Sequence, residues 1–341
     1  MLVAVGCGGS NEETGTTPLT QGITTLNGTS QGDANEDEDD ADTGIKLDTQ
    51  SGDGTSNISE GGGGSGCEKV DFLFVIDSSG SMEDEQVNLL SSFPGFIGAI
   101  QDTLQFDDFH MMVVDAGAVE GAGCDGTLGA GRVTSGSGMN CGLAGVDRFA
   151  TQAQADLAAA FSCMGSRGFE GSGDEQTMDA LLASIGPLNA VGACNAGFLR
   201  DDAILVVTII TDEEDSPNDG IALPPLDGSC SPADSDPNSS GGPATWADAI
   251  IAAKNGDPEA AVVLSLLGDC DVGGTCQGIV LDPLNPAAPV TGAEPAPRMR
   301  EFTEMFGFGS VGPVCAPDYT PFFLDAVSVI ATACDDFDPP G

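Results

Sequence analysis

Basic residues are scarce in this chain. Lys and Arg together number 9 against 54 Asp and Glu, which gives a formal net charge of −45 over 341 residues. Nucleic acids and anionic lipid surfaces bind proteins largely through Lys and Arg, so neither is an expected partner. A chain this acidic repels itself when it is compact, and it attracts cations. We therefore expect bound cations or crosslinks to offset the repulsion in the folded state.

Other absences exclude several classes of chemistry. The only histidine is His110 and no C-x-x-C pair occurs, so a zinc site is not expected. The sequence has no G-x-x-x-x-G-K-[ST] loop for nucleotide phosphates. A serine hydrolase would need a base, but His110 opens an apolar strand, where a core or edge position is expected. No segment reaches the ~18 apolar residues of a membrane-spanning helix. We expect no enzymatic activity.

The cysteine count favours an oxidising compartment. Eleven cysteines are more than a reduced cytosolic protein usually carries. Cys7 ends a short apolar run and resembles the lipidated cysteine of a bacterial lipoprotein, so residues 1–6 would be the remnant of a signal whose natural start lies further upstream. The alternative is a stray cysteine at a frayed terminus. If Cys7 is lipidated, the other ten cysteines can form five disulfides. The protein would then be an outer-membrane lipoprotein or an extracellular protein.

Residues 7–66 have the composition of a flexible tether. They consist mainly of Gly, Ser, Thr, Asn and acidic residues and contain no aromatic residue. Such a segment cannot bury enough apolar surface to fold. The acidic run at 36–40 lacks the spacing of a calcium-binding loop, so a solvated charge run is expected there. A folded domain is predicted over residues 67–338.

The folded domain alternates apolar strands with amphipathic helices. Strands are predicted at 70–76, 109–114, 203–210 and 261–267, and helices at 82–104, 153–164, 175–185, 245–254, 299–306 and 319–333. Pro94 is expected to kink or split the first helix. Because the strands are apolar on both faces, we predict an α/β fold with a doubly wound, mostly parallel central sheet flanked by helices. Ligands of such sheets bind beyond the carboxyl ends of the strands.

Hydroxyl and carboxyl groups follow the two most apolar strands. Asp77, Ser79 and Ser81 come directly after the first strand in the spacing D-x-S-x-S, and Asp212 follows the strand at 203–210. Thr177 lies between them in a predicted helix. These are hard oxygen ligands, which suit Mg²⁺ or Ca²⁺. The alternative is a purely structural role in which the serines only cap a helix, and it leaves both aspartates unexplained. An aspartyl phosphotransfer enzyme would carry a second Asp at position 79.

With this motif the sequence resembles a von Willebrand factor A domain that has a metal-ion-dependent adhesion site. The resemblance covers roughly residues 67–338. It implies that the hydroxyls of Ser79 and Ser81 bind the metal directly, with Thr177 joining in one conformation, and that Asp77 and Asp212 act mostly through water. One coordination position would stay open for an Asp or Glu carboxylate of a protein partner. Few direct protein ligands favour Mg²⁺ over Ca²⁺.

The implied function is a cell-surface binding or adhesion module. The alternative that we keep open is a structural envelope lipoprotein whose metal only stabilises the fold. The segment before Thr177 departs from the family pattern, since residues 171–175 read Gly-Ser-Gly-Asp-Glu instead of the usual glycine–Thr turn. This leaves open whether Glu175 substitutes for Thr177 or the loop lies elsewhere. Glu213, Glu214 and Asp215 are expected to be solvated loop acids.

The disulfide pattern is partly implied by the resemblance. A-type domains have adjacent termini, which implies a Cys67–Cys334 bond. Cys270–Cys276 and Cys124–Cys141 are expected as local pairs, and Cys163–Cys194 and Cys230–Cys315 then follow by elimination, among the many connectivities that ten cysteines allow. The long loops at 117–149, 216–243 and 270–297 are expected to shape partner choice.

Overall fold

The structure is a computed structural model, and it describes residues 68–104, 108–117, 121–171, 173, 175–215, 239–268, 276 and 292–340. All of these residues belong to one compact unit, Ser59–Gly341. The predicted tether at 7–66 and the lipidation site Cys7 lie outside the described residues, so both stay predictions. None of the helices in the described ranges is long and apolar enough to cross a membrane.

A central sheet of six strands organises this unit. The strands are β1 (Lys69–Ile76), β2 (Asp108–Asp115), β3 (Ala150–Thr151), β4 (Ile204–Ile210), β5 (Ala261–Leu267) and β6 (Gly309–Pro313). Their spatial order is β3-β2-β1-β4-β5-β6. Only β3 is antiparallel to its neighbour, and the other strand pairs are parallel. The predicted mostly parallel sheet of an α/β fold is confirmed.

Within the described ranges, six α-helices cover the two faces of the sheet. They are α1 (Glu83–Thr103), α2 (Leu157–Gly165), α3 (Thr177–Ile185), α4 (Pro243–Ala253), α5 (Pro297–Glu304) and α6 (Thr320–Asp336). Alternate side chains of β1 enter two separate cores. Phe74 contacts Phe161 of α2 at a ring-centroid distance of 4.5 Å, on the face covered by α1, α2 and α6. Val75 belongs to the core that contains Trp246, on the face covered by α3, α4 and α5. This double coverage explains why the strands are apolar at every position.

The helix ends follow local sequence rules, with one exception. The carboxylate of Asp156 caps α2 by accepting the Ala159 N–H at 2.9 Å, and α4 and α5 each begin at a proline, which needs no N–H partner there. Pro94 lies inside α1, which is nevertheless a single helix of 21 residues. Of the two predicted effects of Pro94, the split is wrong, and the kink stays a prediction. Pro94 is exposed while Phe93 beside it is buried, so packing of the opposite face holds the helix together.

Two edge strands were not predicted from the sequence. β3 has only two residues, and β6 has the sequence Gly-Ser-Val-Gly-Pro. Gly and Pro are depleted in strands, and four of the five β6 residues are only partly buried, so β6 has no apolar strand pattern. Its pairing with β5 places it in the sheet. β6 therefore cannot be recognised from its own residues, because only its pairing with β5 identifies it as a strand.

A buried polar cluster fixes the amino ends of β1 and β4. Asp71 lies within β1 and accepts hydrogen bonds from Arg200 N–H at 2.7 Å and Nε at 2.8 Å. Lys254 Nζ donates to the carbonyl oxygens of Arg200 and Ala203, both at 2.6 Å. Burial raises the pKa of Asp71 to about 6. His110 Nδ1 lies 2.7 Å from the Phe198 carbonyl oxygen at the same end of the sheet. This agrees with the expectation that His110 occupies a structural position in a strand.

Disulfides link the long loops, but most of the predicted pairs are wrong. The bonds whose two cysteines both lie in the described residues include Cys124–Cys194, Cys141–Cys163 and Cys276–Cys315. They contradict the predicted pairs Cys124–Cys141, Cys163–Cys194, Cys270–Cys276 and Cys230–Cys315. The reason is that the loop after β2 folds onto the segment before β4: Asn195 accepts the Gly131 N–H at 2.9 Å and donates to the Gly129 carbonyl at 2.8 Å. Sequence neighbours are therefore not spatial neighbours.

The pairing of the domain termini stays a prediction. Cys334 at the end of α6 is disulfide-bonded. Its predicted partner, Cys67, lies outside the described residues. No finding therefore tests the Cys67–Cys334 bond.

Removal of the Cys124–Cys194 bond should destabilise the domain. This bond spans 70 residues and the Cys141–Cys163 bond spans 22, and a longer closed loop restricts the unfolded chain more. We expect the double substitution Cys124→Ala and Cys194→Ala to lower the free energy of unfolding by about 2–5 kcal/mol. Cys141→Ala with Cys163→Ala is the matched control and should cost less. Urea unfolding of the three proteins measures this, and an equal or reversed loss would contradict the loop-length argument.

Candidate functional site

The candidate site lies where the carboxyl ends of β1 and β4 meet. The chain passes from β1 to β2 and β3 on one side of the sheet and from β4 to β5 and β6 on the other, so strand order reverses between β1 and β4. Doubly wound sheets bind their ligands at such a switch point. The two chain segments stay joined beyond the sheet, since Asp77 N–H donates to the Ile210 carbonyl at 2.9 Å.

Hydrogen bonds join four of the five predicted site residues. Asp77 Oδ1 accepts the Ser79 N–H at 2.8 Å, and its Oδ2 accepts the Thr211 hydroxyl at 2.9 Å. The Ser79 and Ser81 hydroxyl oxygens lie 2.9 Å apart. Ser81 Oγ donates to Asp212 Oδ1 at 3.1 Å. Carboxyl and hydroxyl oxygens from the two strand ends thus form one continuous group. We call this group, together with the buried acids beside it, the cluster.

The serines do not serve as helix caps. Ser79 precedes the 3-10 turn Gly80–Met82 but makes no side-chain capping hydrogen bond, and Met82 occupies the cap position of α1. The Ser81 hydroxyl is directed at Asp212 and at Glu213, whose Oε1 lies 3.3 Å away. The capping alternative therefore fails, and both hydroxyls are available to the cluster.

Thr177, the fifth predicted residue, begins α3 and is fully buried. Its Oγ1 has no hydrogen-bond partner in the described part of the chain, and no hydrogen bond there joins it to the other four residues. The start of α3 is nevertheless tied to the segment after β4, because Asp215 Oδ1 accepts the Met178 N–H at 2.9 Å. A buried hydroxyl without a partner is costly unless something else satisfies it.

Glu175 brings a further carboxyl group to the cluster. Its side chain is buried, and the carboxyls of Asp77, Asp212 and Glu213 act on it electrostatically. Neither Glu175 oxygen has a donor among the described residues. Ionised carboxylates repel one another and have no proton to donate, so this buried group of acids requires protons or a cation among them. Burial and the neighbouring acids raise the pKa of Glu175 far above its usual range.

The acids after Asp212 are buried, so the prediction that they are solvated is wrong. Glu213, Glu214 and Asp215 are each at most 5% exposed. Glu214 Oε2 accepts the Arg298 N–H at 2.8 Å, and the Arg298 guanidinium donates to the Asp215 carbonyl. The start of α5 therefore covers this turn. Sequence reasoning missed this because the cover comes from a segment more than 80 residues away along the chain.

Two other acids lie buried near the cluster, and the sequence did not indicate that they would be there. Glu85 lies in the first turn of α1, where acidic residues are common, yet it is fully buried and neither carboxyl oxygen has a partner in the described ranges. Burial, reinforced by Asp84 beside it, raises the pKa of Glu85 to about 9. Burial also raises the pKa of Glu294 to about 8, with Glu213 and Glu214 adding to the shift.

The cluster as a whole lacks positive charge. Asp77, Glu85, Glu175, Asp212 and Glu213 form no ion pair with a basic side chain in the described residues, where the nearby arginines pair with other acids. An uncompensated buried carboxylate costs several kcal/mol. The group therefore requires protons or a bound cation.

Comparison with models of protein families yields no match for this chain, and a search of curated proteins yields no significant match. Its function must therefore be argued from the geometry and charge of the described residues.

The donor set fits a hard divalent cation. Asp212 Oδ2, Thr177 Oγ1 and both Glu175 oxygens are buried without a hydrogen-bond partner in the described segments. In those same segments no group of three or more His, Cys, Asp or Glu side chains is arranged to hold a metal by itself. A site here therefore depends on the Ser79 and Ser81 hydroxyls as well as on the carboxyls. Carboxyl and hydroxyl oxygens are ligands that Mg²⁺ and Ca²⁺ prefer.

A hydrogen-bonded loop borders this cluster. Arg167 Nε donates to Asp115 Oδ2 at 3.0 Å, and the Ser78 hydroxyl donates to Asp115 Oδ1 at 2.7 Å. Gly171 N–H donates to the Ser78 carbonyl at 2.7 Å. A Cβ atom on Gly171 would lie only 2.2 Å from Ser78 Oγ, so only glycine permits this approach. The loop is therefore held against the turn that carries Ser79 and Ser81.

The buried acids should make the metal-free protein less stable as pH rises. Burial raises the folded-state pKa of Glu213 to about 7, of Glu294 to about 8 and of Glu85 to about 9, against an ordinary value of 4.5. The folded state thus holds these protons more tightly than the unfolded state. Their contribution to stability is complete below pH 4.5 and is lost as pH rises through the folded pKa values.

We therefore expect the melting temperature in chelator to fall steadily from about pH 5 to about pH 9. A parallel series with saturating Mg²⁺ or Ca²⁺ should fall much less, because the cation compensates the newly ionised carboxylates. Thermal melts at matched ionic strength measure both series. Parallel slopes with and without cation would show that no cation reaches this cluster.

Proposed function

We propose that this chain is a cation-dependent binding module of the bacterial cell surface, of the von Willebrand factor A type. The observation that carries the proposal is the hydrogen-bonded convergence of Asp77, Ser79, Ser81 and Asp212 at the switch point of the sheet. These are the residues that the resemblance assigns to a metal-ion-dependent adhesion site. The order of the strands and their mostly parallel direction support the same resemblance.

The proposed ligand set divides into two kinds of group. The Ser79 and Ser81 hydroxyls would bind the cation directly, and Thr177 contributes a buried hydroxyl from the start of α3. Asp77 and Asp212 would orient bound water around it. Mg²⁺ or Ca²⁺, when bound, supplies an electrophilic position for a carboxylate oxygen. An Asp or Glu side chain of a protein partner would fill that position.

The proposed location rests on crosslinks and on the sequence of the amino-terminal region. Three disulfides within the described residues support an oxidising compartment. We propose that lipid on Cys7 attaches the protein to the cell envelope and that residues 7–66 act as a tether. The long loops crosslinked by the disulfides Cys124–Cys194 and Cys141–Cys163 are the candidate determinants of partner choice.

Burial of the site favours a second candidate function. The five predicted residues are each at most 4% exposed in this conformation. A cation enclosed in this way would stabilise the fold without reaching a partner, as in a structural envelope lipoprotein. The two candidates share the cation site and differ in whether an outside carboxylate can reach it.

Cation titration tests the shared site. We expect Mg²⁺ and Ca²⁺ to bind the full chain in calorimetry, and we expect Asp77→Asn and Ser79→Ala to weaken binding by about 10–100-fold. Glu259→Gln is the matched control, because Glu259 is exposed at the amino end of β5, at the opposite edge of the sheet. Equal binding by all four proteins would remove the proposed site.

Melting curves distinguish a loss of cation binding from a loss of folding. In chelator, Asp77→Asn should be at least as stable as the parent protein, because it removes one uncompensated buried charge. At a cation concentration of about 100 Kd the parent should gain about 2.7 kcal/mol, and the variant should gain far less. A variant that is unstable under both conditions would indicate that Asp77 serves the fold and not the cation.

Peptide binding separates the two candidate functions. A panel of short peptides that each carry one Asp or Glu should bind only when Mg²⁺ or Ca²⁺ is present, and their Asn or Gln counterparts should not bind. Fluorescence anisotropy of labelled peptides measures this. A cation-induced melting shift without any such binding would leave the structural role as the function.

A further inference from the structure

We propose that Glu175 is an internal carboxylate ligand that takes the coordination position which the proposed function reserves for a partner's acid. The inference rests on the proposed function, since it concerns the same cation. It assigns a regulatory role to that site: the described conformation is self-occupied, and a partner must displace Glu175 in order to bind.

The surroundings of the Glu175 side chain carry this proposal. It is 1% exposed, and neither oxygen has a hydrogen-bond donor among the described residues. The carboxyls of Asp77, Asp212 and Glu213 act on it electrostatically, and each of them raises its pKa. A buried carboxylate with no donor of its own and with other carboxylates acting on it is strongly unfavourable unless a proton or a cation compensates it. Asp212 and Glu213 accept the Ser81 hydroxyl, and Asp77 accepts the backbone N–H of Ser79, so these acids surround the residues whose hydroxyls would bind the cation.

The backbone holds Glu175 at this position from both sides. Glu175 forms an antiparallel bridge with Gly117, and the following Gln176 N–H donates to the Ala116 carbonyl at 3.0 Å. The Asp215 carboxylate then anchors the start of α3 through Met178. Glu175 is thus tied to the carboxyl ends of both β2 and β4. The fold therefore fixes the backbone of Glu175 at this edge of the sheet, and its side chain is buried there.

The competing explanation is that Glu175 holds a proton and donates it to Asp77. That arrangement needs no cation and would make Glu175 a structural acid. The two explanations differ in one measurable property, which is the number of waters on a bound cation. A direct carboxylate ligand excludes water from the cation, whereas a neutral neighbour of Asp77 does not.

Terbium luminescence measures that property on the full chain. Tb³⁺ occupies oxygen sites of the Ca²⁺ type, and its emission lifetimes in H₂O and D₂O report the number of coordinated waters. Excitation through the single Tyr and single Trp selects Tb³⁺ in the folded domain, because residues 7–66 contain no aromatic residue. Tyr319 is within electrostatic range of Glu85 and Asp212, which favours energy transfer to this cluster.

Three variants form the experiment. Glu175→Gln should gain about one coordinated water and lose affinity for Tb³⁺ and Ca²⁺ by at least about tenfold. Glu175→Asp keeps the charge but withdraws the carboxyl by one methylene, so it should also gain water while it loses less affinity. Glu170→Gln removes an exposed acid from the same loop and should match the parent. With saturating Ca²⁺, Glu175→Gln should also bind the acidic peptides more tightly than the parent.

The outcomes distinguish this inference from the proposed function. Tb³⁺ binding to the parent with unchanged water count and affinity in Glu175→Gln would overturn the internal ligand and leave the cation site intact. Failure of Tb³⁺, Mg²⁺ and Ca²⁺ to bind the parent would overturn both. A gain of water without tighter peptide binding would overturn the competition between Glu175 and a partner. In chelator, Glu175→Gln should remain folded, because it removes an uncompensated charge.

Discussion

Uncompensated negative charge at the carboxyl edge of the sheet is the constraint on which the rest of this structure depends. The chain has only 9 basic residues, and the described structure pairs several of them with acids outside the cluster. Arg200 binds Asp71, Arg167 binds Asp115, and Arg298 covers Glu214. The carboxyls between β1 and β4 receive no such partner. A cation is the counter-charge that would complete this arrangement at neutral pH.

The fold concentrates these acids through its topology. Parallel strands send their carboxyl ends to one edge, and the reversal of strand order between β1 and β4 opens a crevice there. Helices on both faces remove the strands from water, and the acids of this cluster lie beyond the strand ends. The loop that carries Arg167 and Gly171, and the segment that carries Glu294, then close over the crevice. Acids that would be ordinary on a surface become buried here.

The parts predicted from sequence are those that local patterns encode. β1, β4 and β5 are apolar at nearly every position, and D-x-S-x-S follows β1 directly, so the sheet and the meeting of Ser81 with Asp212 could be anticipated. β6, the disulfide pairs and the burial of Glu85 could not. Each of these depends on contacts between segments that are far apart in the chain. A helix that starts with Glu83, Asp84 and Glu85 reads as solvated until the residues that cover it are known.

Exchange of one carboxylate for another also limits what the cation can contribute to partner binding. If Glu175 binds the cation in the free protein, a partner's acid replaces a ligand of equal charge, so the charge on the site does not change. The electrostatic gain at the cation is then small, and affinity must come from the contacts around it. The exposed loops near the site would make those contacts. One of them carries Phe169, which is 43% exposed. Such a site would admit many acids weakly and hold only the partner whose surface also fits the loops.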